Sequence, residues 1–138
     1  MEFSRRDTFA LGAGAVALTM LPISASAAAE DAIAEFTGGA EVANTGVTLT
    51  APEIAENGNT VPISVDAPGA TAIMVLAAGN PTPGVATFNF GPLAAAQSAS
   101  TRIRLAGTQD VIAVAKMADG SFAQASSTVK VTIGGCGG

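Results

Sequence analysis

The sequence of 138 residues has no histidine, no tryptophan and no tyrosine, and it contains a single cysteine. Without histidine, the chain lacks the commonest general base and metal ligand of enzymes. Without tryptophan and tyrosine, it lacks the usual aromatic platforms on which bases and sugars stack. Only 12% of the residues are charged and 49% are hydrophobic, so the composition indicates one compact domain and excludes a disordered polyelectrolyte.

Positive charge is also scarce. Six Lys and Arg residues stand against eleven Asp and Glu residues, which gives a formal net charge of −5 at pH 7. Phosphate backbones and anionic lipids repel such a chain, so we expect no nucleic-acid binding and no membrane attachment of the mature protein. Apart from Glu30-Asp31, the acids of the mature chain are scattered singly, so we expect no metal site and no cofactor.

Residues 1–29 have the pattern of an export signal. The pair Arg5-Arg6 precedes an apolar run over residues 10–23, and small residues follow up to Ala29. The run is too short and too rich in glycine for a membrane span, and we expect cleavage after Ala27 or Ala29. The arginine pair is similar to a twin-arginine signal, which exports proteins already folded, and an ordinary secretory leader is the alternative.

Residues 30–133 have the pattern of an all-β domain preceded by a short helix. The apolar spacing over Glu30–Phe36 suits one or two helical turns, which Thr37-Gly38-Gly39 ends. Beyond this point, alternating runs are separated by glycine, proline and asparagine at short intervals, as in an antiparallel β-sandwich. Alternation predicts inward side chains at Val47, Leu49, Val61, Ile63, Val65, Phe88, Phe90, Ile103, Leu105, Val129, Val131 and Ile133.

Four segments predict where strands lie in the sheets. Ala72–Ala77 and Val111–Ala115 are continuous apolar runs, which predict strands covered on both faces, by the second sheet or by another subunit. Pro62 cannot donate a ladder hydrogen bond, so it predicts a strand at a sheet edge or a position at the strand's start. Asp119-Gly120 predicts a hairpin turn. The apolar runs and the edge strand together predict a heterodimer, because a lone domain of this size would leave apolar surface exposed.

Cys136 is the chemical handle of the sequence. It stands between two pairs of glycines, Gly134-Gly135 and Gly137-Gly138, directly after the alternating run Val129–Ile133. As the single cysteine, it can form no internal disulfide. Glycines lose much backbone entropy on ordering and offer nothing to pack, so we expect residues 134–138 to form a flexible arm. The arm would carry Cys136 about 10 Å beyond the sheet, into channels too narrow for an ordinary peptide.

Two other interpretations of Cys136 stay open. An exported binding or structural module would use the thiol for an intermolecular disulfide, and a thiol enzyme such as a peroxidase would use it as a nucleophile. The enzyme is the weaker alternative, because there is no histidine and the nearest cation in sequence is Lys130, so nothing local favours the thiolate. Arg102 and Arg104 project from one strand face and predict either a solvated surface or a grip on sulfate or a partner's carboxylates.

Several segments together carry a family resemblance, and the closing pentapeptide Gly134–Gly138 is the most specific of them. With the twin-arginine-like leader, the chain resembles the SoxY family, the sulfur-carrier subunit of bacterial Sox systems for thiosulfate oxidation. The other segments that carry the resemblance are Phe36–Gly39, Ala55–Pro62, Asn80-Pro81, Val85–Phe88, Ser100–Leu105, Asp119–Phe122 and Val131–Ile133.

The resemblance implies a periplasmic carrier that is folded as an immunoglobulin-like sandwich and paired with a companion subunit, SoxZ. It places the carrier cysteine at Cys136 and the flexible arm at Gly134, Gly135, Gly137 and Gly138. It also implies three transient partners: a c-type cytochrome that conjugates the substrate, a hydrolase that releases sulfate, and a sulfur dehydrogenase that oxidises the remaining sulfane sulfur. The chain itself would then be a noncatalytic subunit and not an enzyme.

Overall fold

The computed structural model describes residues 25–133, with side chains from residue 27 onward. The predicted leader up to residue 24 and the predicted arm, residues 134–138, lie outside the described residues. The described part contains one helix and nine strands. In chain order they are α1 (Ala25–Thr37), β1 (Val42–Ala43), β2 (Thr48–Thr50), β3 (Ile54–Ala55), β4 (Val61–Asp66), β5 (Ala70–Ala77), β6 (Gly84–Asn89), β7 (Ser98–Ile103), β8 (Gln109–Met117) and β9 (Phe122–Val131).

The strands form two sheets packed as a sandwich. The larger sheet has the order β1-β9-β8-β5-β6, with β3 also paired to β9, and the smaller sheet has the order β2-β4-β7. The long pairs are antiparallel, whereas the two-residue strands β1 and β3 run parallel to β9. This architecture confirms the predicted all-β, immunoglobulin-like sandwich with an N-terminal helix.

The core lies between the two sheets and follows the predicted alternation. On β4, Val61, Ile63 and Val65 are at most 3% exposed, while Pro62 between them is exposed. Val129 of β9, which belongs to the larger sheet, is also fully buried. Burial of aliphatic side chains at this density is the main stabilising contribution in a sandwich.

Helix α1 is longer than the sequence predicted. The apolar spacing indicated one or two turns over Glu30–Phe36, whereas the helix spans Ala25–Thr37 and begins within the predicted leader. Its first turn is mostly alanine, the residue of highest helix propensity, so it forms without apolar periodicity. At the end, Gly38 and Gly39 have positive φ, and the Gly39 amide donates to the Ala34 carbonyl (3.1 Å), as in a Schellman motif.

The position of Pro62 corrects one prediction and confirms its alternative. Strand β4 is the middle strand of the smaller sheet, so the predicted edge position is wrong. Pro62 is the second residue of β4, and β2 pairs with β4 only over Ser64–Asp66. The missing amide of the proline therefore costs no ladder hydrogen bond to β2, which agrees with a position near the strand's start.

Ile133 is a second correction. The alternation predicted that its side chain faces inward, but β9 ends at Val131 and Ile133 is 67% exposed. The alternation over Val129–Ile133 continues past the end of the sheet, where the opposite sheet offers no cover. Leu105 shows the reverse case, because it is fully buried as predicted although β7 ends at Ile103.

The two continuous apolar runs are covered on both faces, as predicted. They form most of β5 and of β8, which are neighbouring inner strands of the larger sheet. Ile73 and Val111 belong to the core between the sheets, while Leu76 and Val114 lie on the opposite face, and all four are fully buried. Since this cover is present within a single chain, the runs do not themselves call for a second subunit.

Candidate functional site

The structure describes the base of the predicted site and not its thiol. Cys136, Gly134, Gly135, Gly137 and Gly138 all lie outside the described residues, which end at Ile133. The segment just before them can be followed atom by atom. It shows how firmly the point of attachment of residues 134–138 is held.

On one side, the end of β9 is held by strand β3 and the turn after it. The Lys130 amide donates to the Glu53 carbonyl at 2.9 Å, and the Thr132 amide donates to the Ala55 carbonyl at 3.0 Å. One residue further on, the Ile133 carbonyl accepts a hydrogen bond of 2.7 Å from the amide of Gly58. This short parallel ladder continues past the last residue of β9, so the backbone is hydrogen-bonded up to Ile133 itself.

Side chains strengthen this attachment. The Val131 amide donates to the hydroxyl oxygen of Thr108 at 2.9 Å, and the Thr132 hydroxyl donates to the Glu56 carbonyl at 3.1 Å. Thr108 lies in the loop before β8, across β9 from the β3 turn. Residues 131 and 132 are therefore bonded from two directions before the chain reaches the glycines.

Gly58 links the base of the site to the next loop. It is a buried residue of the turn Glu56–Asn59, and the Asn57 side chain closes that turn by accepting from the Asn59 amide at 3.0 Å. While its amide donates to Ile133, the carbonyl of Gly58 accepts from the Leu105 amide at 2.7 Å. Both polar groups of this buried peptide segment are thus satisfied.

Asn80 holds the loop that contains Leu105. Asn80 is 4% exposed, its Nδ2 donates to the Arg104 carbonyl at 2.8 Å, and its Oδ1 accepts from the Ala106 amide at 2.9 Å. The same Oδ1 accepts from Nε2 of the buried Gln109 at 2.8 Å. One asparagine side chain therefore makes the backbone hydrogen bonds that a neighbouring strand would make to residues 104–106.

Gln109 completes the network. Its Nε2 also donates to the Gly107 carbonyl at 3.0 Å, and its Oε1 accepts from the Gly79 amide at 2.8 Å. A Cβ on Gly79 would lie 2.9 Å from the Cβ of Gln109, so position 79 has no room for a side chain. Hydrogen bonds thus connect Ile133 to three loops, which contain residues 56–58, 104–107 and 79–80. We call these loops, together with Gln109, the base network.

Sequence patterns alone do not predict a role for the side chains of this network. Asn80 is one of the residues that carry the family resemblance, and no sequence pattern marks Gln109. The available signal was an asparagine in the Gly79-Asn80-Pro81 turn, because turn asparagines commonly bond to nearby backbone. What could not be seen was that its bonds run to a loop more than 20 residues away.

Charges near the site are on the surface. Arg102 and Arg104 are both exposed, and Nη1 of Arg102 lies 3.4 Å from the Thr60 hydroxyl to which it donates. Their exposure agrees with the predicted solvated face, and a grip on sulfate or on a partner's carboxylates stays a prediction. Within residues 25–133, no group of three or more acidic, histidine or cysteine side chains is placed to hold a metal ion.

Comparison with known families shows to which family the chain belongs. A family model described as sulfur oxidation protein SoxY matches residues 33–136, a span that begins in α1 and ends on Cys136. The chain belongs to the SoxY family. The match includes the whole base network, so Asn80, Gln109 and Gly58 all lie within the family's own domain.

Solved structures agree with this assignment. The sulfur carrier protein SoxY from Chlorobium limicola f. thiosulfatophilum is 34% identical, with a TM-score of 0.69, and the match covers 78% of this chain and 94% of that chain. The superoxide reductase neelaredoxin from Ignicoccus hospitalis is 16% identical, with a TM-score of 0.56 over 63% of this chain and 80% of that chain. The second likeness concerns the fold alone.

No curated protein matches the chain significantly. Among the residues that the structure describes, no helix combines the length and apolar character needed to cross a bilayer.

Proposed function

We propose that this SoxY family member is a periplasmic sulfur carrier that holds thiosulfate-derived groups covalently on Cys136 and presents them to separate enzymes. The observation that carries the proposal is the placement of a single cysteine three residues after Ile133, the last of the described residues and one that is bonded to the base network. The C. limicola sulfur carrier SoxY, at 34% identity over most of its length, supports the same role. The glycines on both sides of Cys136 give the arm its freedom to turn.

The proposed cycle has four steps, each with a defined source or acceptor of electrons and oxygen. Loading forms an S–S bond between the Cys136 sulfur and the outer sulfur of thiosulfate, with the thiol proton released and two electrons passed to the c-type cytochrome. The hydrolase then uses water to release sulfate and leaves a persulfide on Cys136. The sulfur dehydrogenase oxidises the outer sulfur to a sulfonate with oxygen from water, and its electrons also pass to the cytochrome. A second hydrolysis releases sulfate and restores the thiol.

The chain itself catalyses none of these steps. It contains no histidine to act as a general base, and the cationic side chains of the described domain, Arg102, Arg104, Lys116 and Lys130, are exposed. A thiol becomes a strong nucleophile beside a cation or at a helix start, and the glycines around Cys136 supply neither. Partners therefore activate the thiol when they enclose it.

Export precedes this function. The pair Arg5-Arg6 and the small residues up to Ala29 support a twin-arginine leader that is cleaved after Ala27 or Ala29. N-terminal sequencing of the protein from a periplasmic fraction tests both points. Changing Arg5-Arg6 to a pair of lysines should keep the protein out of that fraction, whereas an ordinary secretory leader would tolerate the change.

A heterodimer with the companion subunit SoxZ is the proposed resting state, and strand β6 supports it. Among the described strands β6 pairs only with β5, so its other edge is free. Residues 70–89, which contain both strands, include no charged residue, and Val85 and Phe88 of β6 are only half-buried. Edge strands of lone domains are usually protected by charge, and this edge is not.

A lysine on this edge tests the companion's docking site. Thr87 is exposed in the middle of β6, and we expect Thr87→Lys to weaken association with co-expressed SoxZ about tenfold, roughly 1.4 kcal/mol, without changing the melting temperature. Thr50→Lys on the exposed edge strand β2 is the matched control. Equal effects of the two lysines on the measured Kd would exclude β6 as the docking edge.

Replacement of the thiol tests the carrier function. In a reconstituted system, Cys136→Ser should abolish thiosulfate-dependent cytochrome reduction. The melting temperature should stay the same, because the core of the described residues forms without Cys136. Intact mass spectrometry of the parent protein from thiosulfate-grown cells should show sulfur-containing adducts on Cys136. Full activity of the serine variant would refute the proposal, and a clean disulfide dimer without adducts would favour a structural module.

A further inference from the structure

The base network fixes the position from which the chain continues toward Cys136. The Ile133 carbonyl is the last backbone group of the described residues with a bond to the body of the domain, and Gly134 and Gly135 separate Ile133 from Cys136. Three residues span at most about 10 Å when fully extended. Any enzyme that encloses the Cys136 sulfur must therefore bring the rim of its cavity close to Ile133.

Ile133 is the apolar side chain at this point. It is 67% exposed, and the hydrogen bonds at Thr132 and at the Ile133 carbonyl hold its backbone in one position. An exposed isoleucine on a fixed backbone is presented to a partner without the entropy cost of ordering a loop. The adjacent turn Asn57–Asn59 is fixed by the same Gly58 amide and borders the same point.

We propose that Ile133, together with the Gly58 turn, is the shared docking point of the transfer complexes, and that it seats on an apolar rim around the cavity of each partner enzyme. The inference rests on the proposed carrier function. A longer tether would let each partner hold the domain by a different surface. A tether of this length gives them one surface in common, so successive partners must all accept Ile133.

A neutral polar substitution tests the contact. We expect Ile133→Asn to lower kcat/KM of the reconstituted system for the carrier by about 10- to 100-fold, mainly through a higher KM. The reason is that the complex loses the contact in which the partner's apolar rim buries Ile133. The matched control is Leu93→Asn, since Leu93 is 99% exposed in the loop between β6 and β7. Its kcat/KM should change less than twofold. Rates of Cys136 alkylation by iodoacetamide should be equal in both variants and the parent.

Lengthening the tether separates docking from a merely structural role. Four extra glycines inserted between Gly134 and Gly135 should restore most of the activity lost in Ile133→Asn, because the thiol then reaches the cavity without seating the base. If Ile133→Asn behaves like Leu93→Asn, Ile133 is not a docking point and the inference is wrong. If the loss persists in the lengthened chain, short reach is not the cause, and the inference is equally wrong. Neither result affects the carrier function, which Cys136→Ser tests separately.

Discussion

The two ends of β9 are fixed in different ways. At its beginning, the hairpin from β8 is closed locally, with the Asp119 carboxylate accepting from the Ser121 amide at 2.9 Å and from its hydroxyl at 2.6 Å. The Met117 amide also donates to the Ser121 carbonyl at 2.8 Å, and Gly120 has a φ of 86°. At its end, β9 is fixed by partners that are at least 23 residues away in sequence.

The end of β9 is held rigid by hydrogen bonds to parts of the chain that are distant in sequence. A turn closed by neighbours forms at little entropic cost and holds by itself, whereas each bond at the end of β9 needs a long loop to be closed first. The Ile133 carbonyl is in place only when the β3 turn, the loop before β8 and Asn80 are all in place. The base of the site is therefore a property of the folded domain, while the opposite hairpin is a property of a short segment.

The largest expected effect comes from removing the centre of the base network. Asn80→Ala removes the partner of the part-buried Arg104 carbonyl and Ala106 amide and of the buried Gln109 side chain. We therefore expect a loss of about 2–4 kcal/mol in the free energy of unfolding. Asn89→Ala, at an exposed position of β6, should cost less than about 0.5 kcal/mol. Urea denaturation of both variants measures the difference, and similar losses would show that Asn80 does not organise the base.

A smaller effect is expected at Gly79. A Cβ there would press on Gln109 at 2.9 Å and displace the side chain that bonds to Asn80, so Gly79→Ala should destabilise the domain by about 1–2 kcal/mol. Gly84→Ala is the control, because nothing lies within 4 Å of a Cβ at that position. If both alanines leave the unfolding midpoint unchanged, the packing of Gln109 against Gly79 is looser than the structure indicates.

The same contrast explains how much the sequence alone could predict. Alternation predicted the inward side chains of β4, and Asp119-Gly120 predicted the hairpin, because both are local patterns. Alternation failed at Ile133, because burial depends on where the opposite sheet ends and no local pattern encodes that. The edge position for Pro62 failed for a related reason, since strand order depends on partners distant in sequence.

The thiol of the candidate site stays a prediction, whereas the structure describes the base that precedes it. A lone cysteine between glycines indicated a presented thiol, and the family match over residues 33–136 agrees with the resemblance on which the carrier role was inferred. The base network was missed because Asn80 and Gly58 lie in two separate loops and Gln109 begins β8, so the three are far apart in sequence. Only the folded chain shows that these loops meet beneath Ile133.

The smallest expected effect lies at the local end of β9 and depends on pH. Hydrogen bonds from the Ser121 hydroxyl and amide to its carboxylate lower the pKa of Asp119 below its usual value of 3.8. A carboxyl whose pKa is lower in the folded state contributes stability above its unfolded pKa, and that stability is lost as the pH falls through the folded pKa.

Asp119→Asn should therefore melt slightly below the parent at neutral pH, with the two melting temperatures converging in acid below about pH 4. Ser121→Ala should reduce the same pH-dependent difference by removing one of the donors. Because the turn is local and fully exposed, neither change should alter kcat/KM of the reconstituted system, and a loss of turnover in either variant would show that the two ends of β9 are coupled.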